Sequence, residues 1–376
     1  MDIKDIIEQL PEGYKEACWE TKAMRRKKGI QDEETLLLLC LYYAYDKSLV
    51  DTQNYANTFL SIKISDVGFM KRFAVCNNWI KWINQQLLNE RIQVEAIPEK
   101  LKGKKVKAID ASDIVSKGAV KQTWRLHYAF DLYSMNCAEY KITQESTGES
   151  LKNFTIDSGD LILADRIYAT ITGIECCNEA KADFIMRLRN KAFKIYDAEG
   201  CGIELTNLLK EVGNSCCDFT VYYKDSHKQL KPLRLCAVKK SEQEQKYQQE
   251  KLRKTETRKQ IKISEETKFT HNYFFVITSL DESFSSEEII ALYRLRWQVE
   301  MVFKRLKSIM NLGSMPTKTA ATSEAWLNCK MLIALLIEKL LSSVDFSPYR
   351  HSEERLERNQ DFIPFDFGLL FEPSGV

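Results

Sequence analysis

The sequence predicts a mixed α/β protein with a helical region at its N-terminal end. Apolar residues recur at helical spacing through 33–45 and 69–90, whereas runs from residue 103 onward alternate between apolar and polar side chains. Later strand-like runs alternate with helical ones, which is typical of a mixed sheet. The 376 residues, 44% of them hydrophobic, suit two or three folded domains and exclude a disordered or collagen-like chain.

Residues 1–100 are predicted to be helical, and a basic cluster precedes their first long helix. Such a cluster is commonly a solvated surface, but its position ahead of a small helical module favours contact with DNA phosphates. We therefore expect an N-terminal helical DNA-binding domain. The basic cluster consists of Lys22, Arg25, Arg26, Lys27 and Lys28.

Residues 101–190 are predicted to form the first part of a central sheet. Three successive strands are expected at 103–113, 123–132 and 137–144, because aromatic and β-branched residues alternate there. The short apolar run at 159–166 is typical of a buried central strand. A helix to about residue 180 and a strand at 183–189 complete this part.

Residues 191–274 interrupt this pattern and predict a β-rich insertion with its own small sheet. Two strand-like runs, at 217–223 and 233–239, precede a charged and helical stretch. Between Lys239 and Lys262, nine Lys or Arg face four Glu, which favours a basic arm that contacts DNA, although a solvated helix face explains the charges equally well. The candidate DNA contacts of the arm are Lys251, Arg253, Lys254, Arg258 and Lys259.

Residues 275–345 are predicted to complete the central domain. A strand at 271–280 is followed by a capping box, Ser285 with Glu288, that opens a long helix. A further apolar helix is expected at about 323–342, and residues 346–376 form an acidic tail with an apolar segment.

Cysteine usage and apolar run lengths indicate a cytoplasmic protein without a membrane span. The eleven cysteines include no Cys-x-x-Cys pair, so reduced and mostly buried thiols are expected. No apolar run reaches the roughly 20 residues that cross a bilayer, and the N-terminus lacks a signal-peptide pattern.

One predicted helix, residues 286–310, carries polar side chains along a narrow stripe. With about 100° of rotation per residue, Tyr293, Arg296, Glu300 and Lys307 fall on one side. Leucine, valine and isoleucine side chains fall on the opposite side and are expected to face a core. The stripe therefore presents one carboxylate flanked by two cations and a phenol.

This spacing is similar to the Tyr-Arg-Glu-Lys signature of the IS4-family insertion sequence transposases. The surrounding ALYRLRWQVEMVFKRLKSIM agrees with that family, and the segments AIDAS around Asp110 and LILADRIYA around Asp165 resemble its two catalytic aspartate regions. The resemblance covers about residues 20–340. It implies a ribonuclease-H-like catalytic domain interrupted by a β-rich insertion, which would bring Asp110, Asp165 and Glu300 together.

The chemistry that the resemblance implies is metal-dependent cleavage of DNA followed by strand transfer. Two Mg²⁺ ions about 4 Å apart, which Mn²⁺ could replace, activate the attacking water and stabilise the leaving oxygen. Oxygen ligands suit such hard cations, so Asp110, Asp165 and Glu300 are the expected ligands. Tyr293, Arg296 and Lys307 are expected to hold a DNA phosphate, the arginine as a planar fork.

The resemblance also implies DNA with terminal inverted repeats and target DNA as partners, a homodimer on that DNA, and a cut-and-paste route. Hairpin-forming members of the family stack a flipped base on an aromatic residue of the insertion. This sequence has no Trp between residues 165 and 296, so the hairpin step stays open, with Phe219, Tyr222, Tyr223 or Phe269 as candidates for stacking.

Two other interpretations compete with an active transposase. A transposase-derived DNA-binding protein would hold DNA without cutting it, although the presence of all three carboxylates argues against this. A cellular ribonuclease-H-like nuclease without strand transfer would have no use for the stripe of Tyr293, Arg296 and Lys307.

Overall fold

A helical layer, a long mixed sheet and a second set of helices follow one another in the computed structural model of this chain. The structure describes residues 6–90, 99–116, 123–188, 192–213, 215–317 and 319–343. The tail from residue 346 and its apolar segment therefore lie outside the described residues. The first region contains α1 (Tyr14–Glu20), α2 (Glu33–Ala44), α3 (Leu49–Thr58), α4 (Asp66–Val75) and α5 (Asn77–Asn89).

Capping side chains begin three of these helices and confirm the predicted helical region. The Asp32 carboxylate accepts a hydrogen bond from the Thr35 amide at the start of α2, and Ser48 and Ser65 do the same for α3 and α4. Each such cap satisfies an amide that the helix itself leaves unpaired, and contributes about 1 kcal/mol.

The rest of the described chain alternates between strands and helices. The first strands are β1 (Lys105–Ser116), β2 (Thr123–Asp131), β3 (Asn136–Gln144), β4 (Asp160–Ala164) and β5 (Asp183–Arg187), with α6 (Ile171–Ala180) between the last two. There follow β6 (Ile195–Tyr196), β7 (Gly202–Ile203), α7 (Leu205–Glu211), β8 (Cys217–Lys224), β9 (Leu230–Lys239), α8 (Glu242–Lys259), α9 (Glu265–Thr270) and β10 (Tyr273–Thr278). The last elements are α10 (Ser286–Arg294), α11 (Trp297–Ser308), β11 (Ser314–Met315) and α12 (Ala320–Ser343).

The eleven strands that the described residues form belong to one sheet, in the order β3-β2-β1-β4-β5-β10-β9-β8-β6-β7, with β11 paired to β1. The first three strands are antiparallel, whereas β1, β4 and β5 run parallel. Every residue of β4 is buried, as expected for a central parallel strand that is covered on both faces. This arrangement fits the ribonuclease-H-like fold.

The strands of the predicted insertion extend the central sheet, so the expectation of a separate small sheet is wrong. Strand β9 pairs antiparallel along the whole of β10, and β10 pairs with β5. The reason is physical: an open strand edge beside β5 offers unpaired backbone groups, and β10 and β9 satisfy them. Sequence alternation identifies a strand but not the edge with which it pairs.

The helical region shares a hydrophobic core with the sheet. Trp79 of α5 and Trp326 of α12 are both fully buried in a cluster that also contains Ala108 of β1 and Val299 of α11. Helix α12 packs against α2, α4 and α5 on one side and against β3 on the other. The helices of residues 6–90 are thus attached to the sheet through α12, and the boundary at residue 100 stays a prediction.

Helix α12 is also the one described helix that is long and apolar enough to cross a membrane. Its span Ala320–Leu340 is 78% buried inside the protein. This burial is what a core helix needs, because its apolar side chains already contact α5 and the sheet.

Candidate active site

Asp110 and Asp165 lie side by side on the neighbouring strands β1 and β4, at the level where β4 ends. Strands β1 and β4 are parallel, and their register ends with Ile109 opposite Ala164. The next residue on each strand is the aspartate, and neighbouring strands are about 4.8 Å apart. Ala108 and Leu163, each two residues before an aspartate, point into the clusters on the face of the sheet that α10 and α11 cover. Because side chains alternate along a strand, both aspartates fall on that same face.

The loop after Asp165 is held in place by close backbone contacts. The Tyr168 amide donates to the Asp165 carbonyl (3.0 Å), and the Tyr168 side chain is 1% exposed. A Cβ at Gly173 in α6 would lie 2.2 Å from the Tyr168 carbonyl oxygen, so only glycine allows the helix to approach the loop this closely. The Thr170 side chain caps α6 at the Gly173 amide. These contacts fix the direction in which Asp165 leaves the strand.

The helix expected from Ser286 to Met310 is two helices, so the single-helix expectation is wrong. Helix α10 ends at Arg294 and α11 begins at Trp297. Between them the amides of Leu295, Arg296 and Gln298 donate to carbonyls three residues earlier, which is the tighter pattern of a 3₁₀ turn. The break changes the rotation on which the polar stripe depended, and its members separate.

The structure keeps Arg296 with Glu300 and keeps Lys307 on the same helix, but it buries Tyr293. Glu300 and Lys307 are exposed on α11, whereas Tyr293 on α10 is 5% exposed and packs against Phe274, with ring centroids 5.5 Å apart. The Tyr293 hydroxyl is buried and makes no hydrogen bond of good geometry with a described residue. Burial raises its pKa to about 12. Tyr293 therefore supports the site from inside, rather than from an exposed stripe.

Arg296 connects the strand carboxylates to the helix carboxylate. Its Nη1 lies 3.5 Å from Oδ2 of Asp110, and its Nη2 forms an ion pair with Oε1 of Glu300. The Arg296 side chain is 11% exposed, so the guanidinium lies inside the site rather than in solvent. A sequence motif could not indicate this contact, because the expected role of Arg296 was to hold an external phosphate.

Three carboxylates influence one another electrostatically at this site. The pKa of Asp110 is raised to about 6, mainly by burial; the Ala111 amide and the Arg296 charge oppose this rise, and the charges of Asp165 and Glu300 contribute to it. The Asp110 carboxylate accepts a hydrogen bond from the Ala111 amide (2.8 Å). A concentration of negative charge of this kind favours a bound cation.

The donor set suits a hard divalent cation in its chemistry but is not arranged as a complete cage. Carboxylate oxygens are the ligands that Mg²⁺ prefers. However, within the described ranges no group of three His, Cys, Asp or Glu side chains is close enough to hold a metal ion. The positive charge among Asp110, Asp165 and Glu300 is that of Arg296. Completing a metal site therefore requires Glu300 to move from Arg296 toward the aspartates.

Two residues near the carboxylates have other surroundings. Trp297, the first residue of α11, is 42% exposed. Asp113 lies within β1 and forms an ion pair with Arg125 (2.8 Å). Among the candidates for base stacking, Tyr223 is 3% exposed and its hydroxyl accepts from Asn178, so it has no free face.

The weaker DNA-binding candidates are all at the surface. The basic cluster lies in the connection between α1 and α2, where the buried residues Ala23, Met24 and Ile30 anchor the chain and the charged side chains project outward. The five candidates of the basic arm are exposed on α8, whose described residues bury only Leu252. Exposure is compatible with DNA contact and with a solvated surface alike.

Sequence reasoning missed further cations near the aspartates. Arg187 ends β5, next to Asp165 across the parallel pair of β4 and β5, and Lys240 follows the last residue of β9. Side chains alternate between the two faces of a strand. Extending this alternation by one or two residues beyond each predicted strand could have indicated that both side chains point to the face covered by α10.

Comparisons with known proteins indicate the family. A family model described as a transposase DDE domain matches residues 101–337. The chain is 28% identical over 358 residues to InsL, the transposase assigned to insertion sequence element IS186A of Escherichia coli strain K12, which covers 92% of this chain and 95% of that protein. It is also 28% identical over 359 residues to the transposase for insertion sequence element IS421 of Escherichia coli, with the same coverage.

Proposed function

The chain belongs to the DDE transposase family, and we propose that it cuts DNA at the terminal inverted repeats of an insertion sequence and transfers the freed 3′ ends to target DNA. The observation that carries the proposal is the position of the two aspartates: Asp110 lies within β1, Asp165 directly follows the adjacent parallel strand β4, and both are on the face where α11 presents Glu300. Such a cut-and-paste reaction needs a homodimer, because two ends must be processed together. Its place of action would be the bacterial cytoplasm, at the nucleoid.

Asp110, Asp165 and Glu300 would hold Mg²⁺. When bound, two such ions supply the positive charge that activates a water and stabilises the leaving oxygen. The carboxylates are suited to this role because two of them have fixed positions in the sheet, whereas the third lies on a helix surface with room to move. The partial burial of Asp110 and the buried face of α10 limit the access of bulk water.

Arg296 and Lys307 would bind a DNA phosphate in different ways. Lys307 is exposed and can reach an approaching backbone directly. Arg296 has to exchange its ion pair with Glu300 for a phosphate, since its guanidinium already bridges two carboxylates. A phosphate accepts the same two parallel hydrogen bonds as a carboxylate, so this exchange conserves the geometry of the fork. Tyr293 would keep Arg296 in place, because the guanidinium lies 5.7 Å from the tyrosine ring centroid.

The first test is cleavage of a duplex that carries the repeats flanking the gene. We expect Asp110→Ala, Asp165→Ala and Glu300→Ala each to lower Mg²⁺-dependent cleavage by about 1000-fold, equivalent to about 4 kcal/mol, while binding of the ends persists. Asp113→Ala is the matched control, because Asp113 lies on the same strand but pairs with Arg125. A carboxylate variant that cleaves at the wild-type rate would remove that residue from the site.

The alternative is a transposase-derived protein that binds DNA without cutting it, and it predicts a different result. The wild-type protein would then bind the ends and leave them intact in Mg²⁺ and in Mn²⁺.

Replacing Arg296 or Lys307 should slow the steps after the first nick more than the nick itself. An equal loss at every step would count against their role as a phosphate grip.

A further inference from the structure

A row of cations continues from the catalytic aspartates along the same edge of the sheet. Strands β4 and β5 are parallel, so Arg187 at the end of β5 lies at the level of Asp165. Strand β10 begins at this edge and β9 ends there, because each is antiparallel to its neighbour. Lys240 therefore follows β9 at the edge that carries Asp165 and Arg187, with its amide bonded to the Asn272 carbonyl.

These side chains also share one face of the sheet. Ile185, Cys236 and Val276 point into the cluster beneath α10. Side chains alternate along a strand, so Arg187 and Lys240, two and four residues after Ile185 and Cys236, point to that face as well. It is the face to which Asp110 and Asp165 belong. The row thus begins at Arg187, beside the candidate active site. It ends at Lys240, which lies two strand spacings across the sheet, roughly 10 Å, and four residues further along its strand than the residue level with Arg187.

Contacts with residues 271–274 hold two cations of the row in place. The Arg187 guanidinium lies 5.8 Å from the centroid of the Phe274 ring on β10. The Lys240 ammonium donates to the His271 carbonyl (2.8 Å). The pKa of Lys240 is lowered to about 8, mainly by burial and also by the charge of Arg187. Burial also lowers the pKa of His271, as do the charges of Lys240, Arg187, Arg166 and Lys251.

The row has little compensating negative charge. Arg166, Arg187, Lys240 and Lys251 form no ion pair with any residue that the structure describes. Glu244 acts on Lys240 from a distance, but its carboxylate is bound in the capping box of α8 with Ser241. Like charges gathered in a half-buried position are costly, and a bound anion removes that cost.

We propose that Arg187, Lys240 and His271 form a second phosphate site, which holds the DNA backbone a few nucleotides from the bond that is cut. This inference rests on the proposed function, since it takes DNA as the anion. Arg187 supplies a planar fork and Lys240 a point charge, while His271 contributes its carbonyl to orient the lysine and its ring as a further donor. The exposed Arg166 and Lys251 widen the row toward α8.

The test measures how binding of a transposon-end duplex depends on salt, without divalent ions so that no cleavage occurs. Removing one phosphate-binding cation should reduce the slope of log affinity against log salt by about one. We expect Lys240→Gln and Arg187→Gln each to show this reduction, with roughly tenfold weaker binding, while Lys240→Arg keeps the wild-type slope. Lys231→Gln is the matched control, because it makes the same change at the opposite end of β9, on an exposed residue.

A second measurement locates the contact and does not depend on one variant being stable. Single phosphates of the duplex are replaced by uncharged methylphosphonates. The affinity of each modified duplex is then measured for the wild-type protein and for the variant. At the contacted phosphate, the replacement should weaken wild-type binding but leave Lys240→Gln or Arg187→Gln unaffected. If Lys240→Gln fails to fold, as judged by thermal unfolding, Arg187→Gln carries the comparison.

The outcomes separate this inference from the proposed function. If the wild-type protein binds and cuts the ends but both variants keep its salt slope and its methylphosphonate pattern, the second phosphate site is wrong and the transposase function stands. If the wild-type protein does not bind the ends at all, the proposed function fails and the second site fails with it.

Discussion

The carboxylates of the candidate active site are held in two different ways. Asp110 lies within β1 and Asp165 directly follows β4, and both strands pair with neighbours on both sides, so the register of the sheet fixes the separation of the two aspartates. Glu300 lies on α11 with its side chain 49% exposed, and one ion pair with Arg296 holds it. The sheet therefore provides a fixed half of the site, whereas the helix provides a half that ligands can rearrange.

The largest expected effect concerns metal binding by the fixed half. Mg²⁺ at about 100 times its dissociation constant should raise the free energy of unfolding of the wild-type protein by about 3 kcal/mol. We expect Asp165→Asn to lose most of this gain and Glu300→Gln to keep more than half, because the paired aspartates are in place before the ion binds. Thermal unfolding across a Mg²⁺ titration measures both, with Asp113→Asn as the control. Equal losses would show that the strands have no special part in holding the ion.

A second prediction concerns a helix carboxylate, Glu338, that is less exposed than Glu300. Glu338 of α12 accepts from the Cys137 amide (3.0 Å) and the Tyr128 hydroxyl (3.2 Å), and burial raises its pKa from 4.5 to about 7. Between these values the folded state binds more protons than the unfolded state, so the free energy of unfolding falls as pH rises from 4.5 to 7.

Glu338→Gln should remove this loss. Relative to wild type, the variant should gain about 3 kcal/mol of stability between pH 4.5 and pH 8. Urea unfolding at several pH values measures the difference. Parallel pH profiles for the two proteins would mean that Glu338 stays ionised in the folded state throughout this range.

The smallest expected effect tests Arg296 as the connection between the two halves. Without divalent ions, Arg296→Gln should lower the free energy of unfolding by about 1 kcal/mol at pH 8, because Asp110, Asp165 and Glu300 then repel one another. The loss should shrink toward pH 5, since the pKa of Asp110 lies at about 6 and removal of the Arg296 charge raises it. Arg294→Gln, which changes an exposed arginine two residues earlier, is the control. A loss independent of pH would indicate packing rather than charge.

Much of the fold could be predicted from local patterns. Strands at 103–113, 123–132, 137–144 and 159–166 correspond to β1 to β4, and the capping box of Ser285 and Glu288 begins α10. These features depend on residues near one another in sequence, where periodicity and capping chemistry act directly. The separate sheet failed because pairing partners are chosen by distant strands, and β9 is paired with β10 across more than 30 residues of chain.

For the candidate site, the sequence predicted which residues take part better than it predicted their geometry. The resemblance indicated Asp110, Asp165 and Glu300, and their assignment stays a prediction. The stripe of Tyr293, Arg296, Glu300 and Lys307 failed as a surface, because two tight turns at Leu295 and Arg296 break the regular rotation. A helical-wheel argument assumes an unbroken helix and cannot detect such a break when no proline or glycine marks it.

By itself, the sequence determined the alternation of elements, the family, and the residue types that meet at the edge of the sheet. These follow from side-chain chemistry and from the preferences of short segments. Only the tertiary structure decided that β8 and β9 extend the central sheet, that Tyr293 is buried, and that Arg296 occupies the space among the carboxylates. Each of these depends on groups far apart in the chain competing for one position, and that competition is settled by packing and charge in three dimensions.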